Sequence, residues 1–66
     1  MNYYQIEAFL SIASTQSLSR AAELLYVAQS TVSHRLSTLE KELGVTLVFR
    51  NKGNRVIELT PAGERF

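Results

Sequence analysis

Residues 29–44 decide the fold of this chain, and they read QSTVSHRLSTLEKELG. Apolar side chains recur there at i, i+4, i+7 and i+11, namely at Val32, Leu36, Leu39 and Leu43. At about 100° per residue these four lie within about 60° of one another on a helix. Gly44 follows them, and glycine commonly takes the left-handed conformation that ends a helix. The stretch therefore predicts a helix over residues 29–43 whose leucine side faces a core.

The opposite face of this helix carries short or planar hydrogen-bonding side chains. They are Ser30, His34, Ser37 and Lys41, with Ser33 and Thr38 on the flanks. An ordinary solvated face favours Glu and Lys, because Ser and Thr are poorer helix formers. The first eight residues contain no acid, and Glu40 and Glu42 come only near the far end. A slim helix face that lacks acidic residues and can form hydrogen bonds with base edges suits the major groove of DNA. The sequence therefore favours a DNA-binding role for this helix.

Two shorter helices are predicted upstream. The spacing i, i+3, i+4, i+7 indicates the buried face of a helix at about residues 3–14, formed by Ile6, Phe9, Leu10 and Ala13. After a polar break, Ser19 is predicted to cap a second helix that runs through Leu25. Ala21 and Ala22 in that helix would let another helix cross closely, although alanine is also simply a good helix former. With a tight turn at residues 26–28, the order helix, turn, longer helix predicts a helix-turn-helix over about residues 18–37.

A small β element and a further helix start are predicted downstream. Residues 45–50 and 55–59 are rich in the residue types of strands, and residues 51–54 suit a hairpin turn. Thr60 and Pro61 are predicted as N-cap and first residue of a fourth helix. We therefore expect a mainly α, three-helix winged helix-turn-helix with a two-stranded β wing in residues 1–59. Residues 60–66 would begin a fourth helix, and its shortness indicates that the natural protein continues.

Composition limits the function classes. The chain has 66 residues, 45% of them hydrophobic, which suits one domain with a modest core. It has no cysteine, no signal-peptide pattern and no stretch apolar enough for a bilayer, so a soluble, cytoplasmic, non-membrane protein is expected. The net charge of +1 is no argument for nucleic acid. Its distribution is more informative, because residues 29–66 carry six basic and four acidic groups.

A cluster of basic residues without an acid lies in the predicted wing, at Arg50, Lys52 and Arg55. Such a cluster usually just keeps a loop hydrated. Beside a groove-reading helix it would instead meet backbone phosphates, which position a protein on DNA without reading sequence. We therefore predict that the wing over residues 50–55 contacts phosphates.

Catalysis and metal binding are not expected. His34 is the sole histidine and aspartate is absent, so a triad would need glutamate, and no surrounding chain forms a pocket at His34. One histidine without cysteine cannot make a structural zinc site, and no Gly-rich phosphate loop is present. The sequence predicts no enzyme, no metal and no cofactor.

Four segments resemble, in order and spacing, the signature of LysR-type transcriptional regulators. They are SLSRAAELL at 17–25, VAQSTVS at 27–33, LEKELGV at 39–45 and LTPAG at 59–63. The resemblance implies the DNA-binding domain of a cytoplasmic bacterial transcription factor. It also implies that the fourth helix pairs two subunits into a homodimer or higher oligomer on a pseudo-palindromic site. A larger domain, absent from this chain, would sense a small-molecule effector.

The resemblance also assigns site residues. Base contacts are implied for Gln29, Ser30, Ser33 and His34. Phosphate or flanking contacts are expected of Thr31, Arg35, Ser37, Thr38, Arg50, Lys52 and Arg55. The chain departs from the family where Ala28 replaces the usual Ser or Thr cap, Ser30 a frequent proline and His34 a frequent arginine.

Two alternatives remain at the level of sequence. One is the DNA-binding domain of another winged-helix regulator class, such as the molybdate-responsive type. The other is a winged helix used for protein contacts, which would present exposed apolar residues on the third helix.

Overall fold

The computed structural model describes residues 2–49 and 57–66. In chain order its elements are α1 (Tyr3–Thr15), α2 (Leu18–Leu25), α3 (Gln29–Leu43), β1 (Val48–Phe49), β2 (Glu58–Leu59) and α4 (Pro61–Arg65). The strands pair antiparallel, with Val48 opposite Leu59. The predicted fold class, three helices with a two-stranded sheet and the start of a fourth helix, is confirmed.

Helix α1 begins at a capping box. The Asn2 side chain accepts from the Gln5 N–H at 2.9 Å, and Gln5 Oε1 accepts from the Asn2 N–H at 2.9 Å. These two bonds satisfy donors that a helix start otherwise leaves open. The helix ends at Gln16, which takes the left-handed conformation with φ 57°.

The buried face of α1 differs from the predicted one. Its buried residues are Gln5, Ala8, Phe9 and Ile12, one position N-terminal to the predicted set. Leu10, which we expected to be buried, is 57% exposed. Ala8 is fully buried, and the Gln5 amide is tolerated on the buried side because the Thr38 hydroxyl of α3 accepts a hydrogen bond from it.

Helix α2 is capped by Ser17 rather than by Ser19 as predicted. Ser17 has the extended backbone of an N-cap, and its hydroxyl accepts from the Arg20 N–H at 3.2 Å. Ser19 therefore lies inside the helix. Ala21 and Ala22 are both buried in the hydrophobic core.

Helix α3 agrees with the prediction in its bounds and in its buried side. Val32, Leu36 and Leu39 are fully buried, and Leu43, the fourth residue of the predicted set, is partly buried against the core. Its N-cap, Ala28, makes no side-chain capping bond. At the other end Gly44 has φ 72°, and its N–H donates to the Glu40 carbonyl oxygen at 2.8 Å.

The described strands are shorter than predicted. They comprise two residues each, and residues 45–47 and 57 are not part of them. The predicted turn at 51–54 and the outer ends of both predicted strands lie outside the described residues. The start of β1 is tied to α3, because the Glu40 carboxylate accepts from the Leu47 N–H at 2.7 Å. The approach to β2 is tied to α1 by the Ile57 N–H, which donates to the Gln16 carbonyl oxygen at 2.9 Å.

Helix α4 follows β2 directly, and its first residues contact the segment that precedes β1. The Thr60 hydroxyl accepts from the Gly63 N–H at 3.0 Å and donates to the Thr46 carbonyl oxygen, with Pro61 in the first turn, so the predicted helix start is confirmed. Beyond it, the ring of Phe66 stands edge-on to Phe9 of α1, with centroids 5.4 Å apart.

The buried hydrophobic residues form one cluster to which α1, α2, α3 and the segment at β1 all contribute. Its members are Ala8, Phe9, Ile12, Ala21, Ala22, Val32, Leu36, Leu39, Leu47 and Val48. Because this core lies on one side of α3, the other side of that helix is left at the surface.

Candidate nucleic-acid interface

The outer face of α3 is exposed as the sequence predicts. Ser30, His34, Ser37 and Lys41 are exposed, while Ser33 and Thr38 are half-buried at its edges. Within α3, every residue of which is described, no large hydrophobic side chain is exposed. The helix thus separates a buried aliphatic side from a surface of hydroxyl, imidazole and amide groups.

The four residues expected to read bases form one strip on the N-terminal half of α3. Gln29 and Ser30 lie in the first turn, and Ser33 and His34 follow one turn later. Gln29, Ser30 and His34 are exposed and Ser33 is half-buried. The structure therefore brings together the residues that the sequence singled out, on a helix half that carries no acid.

The side chain of Gln29 has a partner on α2. The Ser19 hydroxyl donates to Gln29 Oε1 at 3.1 Å, which joins the two helices of the helix-turn-helix across the turn. The sequence pattern did not predict this contact. The two residues are ten positions apart, and only the geometry of the turn brings them into reach.

Further along α3, Arg35 and Thr38 contact α1. The guanidinium carbon of Arg35 lies 5.1 Å from the centroid of the Tyr4 ring, within the range of a cation–π interaction. The Thr38 hydroxyl accepts from Gln5 Nε2 and donates to the Arg35 carbonyl oxygen, both at 2.9 Å. The single Thr38 hydroxyl proton is therefore used within the protein. Arg35 is half-buried beside the Tyr4 ring, which the sequence pattern did not single out.

A shallow groove follows the C-terminal half of α3. It is lined by residues of α3 and of the segment that follows the helix, namely His34, Ser37, Thr38, Glu40, Lys41, Gly44, Val45 and Thr46. Of the two acids in α3, Glu40 turns its carboxylate to the backbone of β1. The acid closest in sequence to the four predicted base-contacting residues is thus engaged in the fold.

For the other predicted site residues the structure shows burial only, or they lie outside the described residues. Thr31 is half-buried in the first turn of α3. Arg50, Lys52 and Arg55 lie outside the described residues, so their phosphate contacts stay predictions. Among residues 2–49 and 57–66, no three His, Cys, Asp or Glu side chains are grouped as a metal site would require. In the same part of the chain, no helix combines the length and the apolar character of a membrane span.

This arrangement, a short helix and a longer exposed helix joined by a tight turn and followed by an antiparallel pair, is that of a winged helix-turn-helix domain. The family described as "Bacterial regulatory helix-turn-helix protein, lysR family" matches residues 3–64. The chain belongs to this family.

Individual relatives agree with the family match. The chain is 48% identical over 60 residues to the HTH-type transcriptional regulator HdfR of Yersinia enterocolitica, covering 91% of this chain and 20% of that protein. The structure is similar to the crystal structure of the CbnR_DBD–DNA complex, with TM-score 0.93 and 36% identity over 100% of this chain and 74% of that one. It is also similar to the BenM_DBD/catB site 1 DNA complex, with TM-score 0.91 and 34% identity over 98% and 70%.

Proposed function

We propose that this chain is the DNA-binding domain of a LysR-type transcriptional regulator and that α3 reads base edges in the major groove of duplex DNA. The observation that carries this proposal is the two-sidedness of α3. Val32 and Leu36 are fully buried, whereas the opposite side of its N-terminal half is exposed, polar and free of acids. The CbnR and BenM structures, which share this fold at more than 30% identity, are complexes with DNA.

The roles of the strip residues follow from their chemistry. The Gln29 carboxamide can pair with adenine by donating to N7 and accepting from the N6 amino group. The Ser30 and Ser33 hydroxyls serve as donor or acceptor to either base edges or phosphates, and the ring nitrogens of His34 can also form hydrogen bonds with them. These groups are short or planar, so they suit the narrow approach of a helix to the groove floor.

A second group of residues would position the domain without reading sequence. We assign phosphate or flanking contacts to Thr31, Arg35, Ser37, Thr38, Arg50, Lys52 and Arg55. Cationic and hydroxyl groups dominate this set, as is typical of contacts to the DNA backbone. The Thr38 hydroxyl proton is already donated to the Arg35 carbonyl oxygen. Thr38 would therefore contact a phosphate through a bridging water, which donates one proton to the hydroxyl oxygen and the other to the phosphate.

The whole protein would be larger and oligomeric. The chain spans 20% of the length of the HdfR regulator it matches. We propose that residues 1–59 form the DNA-binding domain and that residues 60–66 begin a linker helix. That helix would pair two subunits on a pseudo-palindromic site and lead to an effector-sensing domain. A cytoplasmic location and the absence of catalysis fit this role and form part of the proposal.

The two alternatives are less well supported. The family match decides for the LysR-type class over the molybdate-responsive type. A protein-contact module would expose apolar residues on α3, and the fully described α3 exposes no large hydrophobic side chain. Sequence-specific DNA binding is therefore the function that the geometry supports best.

The test is binding of alanine variants to a selected and a scrambled duplex at fixed salt. We expect Gln29→Ala and His34→Ala to lower affinity for the selected duplex by about 1–3 kcal/mol each and to leave affinity for the scrambled duplex nearly unchanged. Ser14→Ala, an exposed serine on α1, is the matched control. Equal affinity of parent and variants for both duplexes would contradict base reading by α3.

The wing is tested separately by salt dependence. Changing Arg50, Lys52 and Arg55 to glutamine removes three positive charges and should weaken binding to every sequence alike. The slope of log K against log salt should become shallower by up to about 0.9 for each phosphate that the wing no longer neutralises. A slope equal to that of the parent would show that the wing does not contact DNA phosphates.

A further inference from the structure

We propose that Ser19 is a positioning residue for base reading, which holds the Gln29 carboxamide across the helix-turn-helix before DNA arrives. This inference rests on the proposed function and adds to it a specificity-determining residue outside the reading helix. The contact that carries it is the hydrogen bond from the Ser19 hydroxyl to Gln29 Oε1, 3.1 Å long.

The hydroxyl of Ser19 is available for this contact because another serine caps α2. Ser17 provides the N-cap and accepts from the Arg20 N–H. Ser19, two residues later, is exposed on the first turn of α2 and faces the first residue of α3. Its hydroxyl therefore serves the partner helix.

The side chain of Gln29 is restrained little by its own helix, so a contact from another helix is needed to fix its conformation. It is the first residue of α3, so no preceding helical turn restrains its side chain. The residue before it, Ala28, has no side-chain group that could bond the carboxamide. A glutamine carries several rotatable bonds, and fixing such a side chain on binding costs conformational entropy. A bond already made in the free protein lowers that cost.

The geometry of the bond leaves Gln29 competent to read adenine. An amide oxygen accepts two hydrogen bonds, and the nitrogen donates two. Ser19 uses one lone pair of Oε1, so the other lone pair and both N–H groups remain for the base. Reading adenine needs one acceptor and one donor, and both are present.

The distance between the two side chains is set by packing. Ala21 and Ala22 of α2 are buried in the core that also takes Val32 of α3. The turn between the helices is closed by the Val27 N–H, which donates to the Ala22 carbonyl oxygen at 3.1 Å. Because close-packed interiors move little, the Ser19 and Gln29 backbones keep their spacing when the side chains change.

The test is a double-mutant cycle on the 66-residue chain with Ser19→Ala, Gln29→Ala and the double variant. Alanine favours helix, so Ser19→Ala keeps α2 folded, which circular dichroism verifies. The base pair that Gln29 reads is the one at which Gln29→Ala relaxes preference. At that pair, Ser19→Ala should lower affinity for the preferred base about three- to tenfold, the effect of one side chain left free to rotate. Ser19→Thr, which retains the hydroxyl, should restore the parent preference, and Ser14→Ala serves as control.

The decisive observation is the coupling between the two variants. If Ser19 acts through Gln29, Ser19→Ala has no further effect on a chain that already carries Gln29→Ala. An additive loss, equal on selected and scrambled duplexes, would overturn the proposal and make Ser19 a direct phosphate contact. A Ser19→Ala variant with parent affinity and preference would overturn it as well. Failure of the proposed function has a different signature, since the parent itself would then show no preference between the duplexes.

Discussion

Gly63 in α4 provides a direct test of how the C-terminal helix packs on the domain. A Cβ built on it would overlap the carbonyl oxygen of Leu47 and lie 3.0 Å from its carbonyl carbon. The Leu47 backbone has little freedom to withdraw. Its N–H donates to the Glu40 carboxylate at 2.7 Å, and its carbonyl oxygen accepts from the Thr60 N–H at 3.0 Å. Gly63→Ala must therefore displace α4 or break one of these bonds.

The size of the effect follows from overpacking. An added methyl group in a close-packed site costs about 1–3 kcal/mol, and the upper end applies where backbone is the obstacle. A chain of this length has about 3–10 kcal/mol of stability in total. A loss of about 2–3 kcal/mol lowers the melting temperature by about 10–20 °C in so small a domain.

Urea unfolding followed by circular dichroism measures this loss, and Gly44 provides a matched control. Gly44 has φ 72° and nothing within 4 Å of an added Cβ, so its constraint is dihedral rather than steric. We expect Gly44→Ala to cost about 1–2 kcal/mol and Gly44→Asn less, because asparagine tolerates the left-handed region. Gly63→Asn should be as damaging as Gly63→Ala. A Gly63→Ala chain within about 0.5 kcal/mol of the parent would refute the close approach of α4 to Leu47.

Three further predictions concern α3 and its supports. Ala28→Ser should raise the stability measured by urea unfolding by about 1 kcal/mol, because it supplies the missing cap; an unchanged midpoint would contradict this. Tyr4→Leu should weaken DNA binding about two- to fivefold on all sequences by removing the ring beside Arg35, and Tyr4→Phe should not; equal losses in a binding titration would exclude the ring contact. Leu36→Ala should cost about 2–5 kcal/mol in urea unfolding, and Ser37→Ala less than about 0.5; comparable costs would mean that α3 is turned the other way.

The sequence predicted α3 well because its apolar residues follow a single helical repeat, with no second set of residues at the same spacing. Val32, Leu36 and Leu39 follow the helical repeat, and all three are fully buried. In α1 two sets with the same spacing overlap, offset by one residue and sharing Phe9. The observed set includes Gln5, which a hydropathy pattern counts as polar. Its burial depends on Thr38 of α3, a partner that α1 alone does not reveal.

The candidate site was predictable in outline for the same reason. Once the leucine side of α3 is known, exposure of His34 and Ser37 follows from the helical repeat. The contacts of Ser19 with Gln29 and of Tyr4 with Arg35 could not be predicted in this way, because each joins two elements through their packing. The choice of Ser17 over Ser19 as the cap is of the same kind. Both serines suit a cap chemically, and only the backbone of Ser17 is extended there.

These cross-element contacts change where specificity is expected to reside. Helix α3 has no side-chain cap at Ala28, and two of the side chains that we propose to face DNA contact other helices, Gln29 contacting α2 and Arg35 contacting α1. Conformational freedom that these side chains have already lost in the free protein is not lost again when DNA binds, so binding has a smaller entropic cost. We therefore expect two chains with identical α3 sequences to differ in base preference if they differ at Ser19, and in overall affinity if they differ at Tyr4. The residues that we propose to determine recognition thus extend beyond α3 to the helices that pack against it.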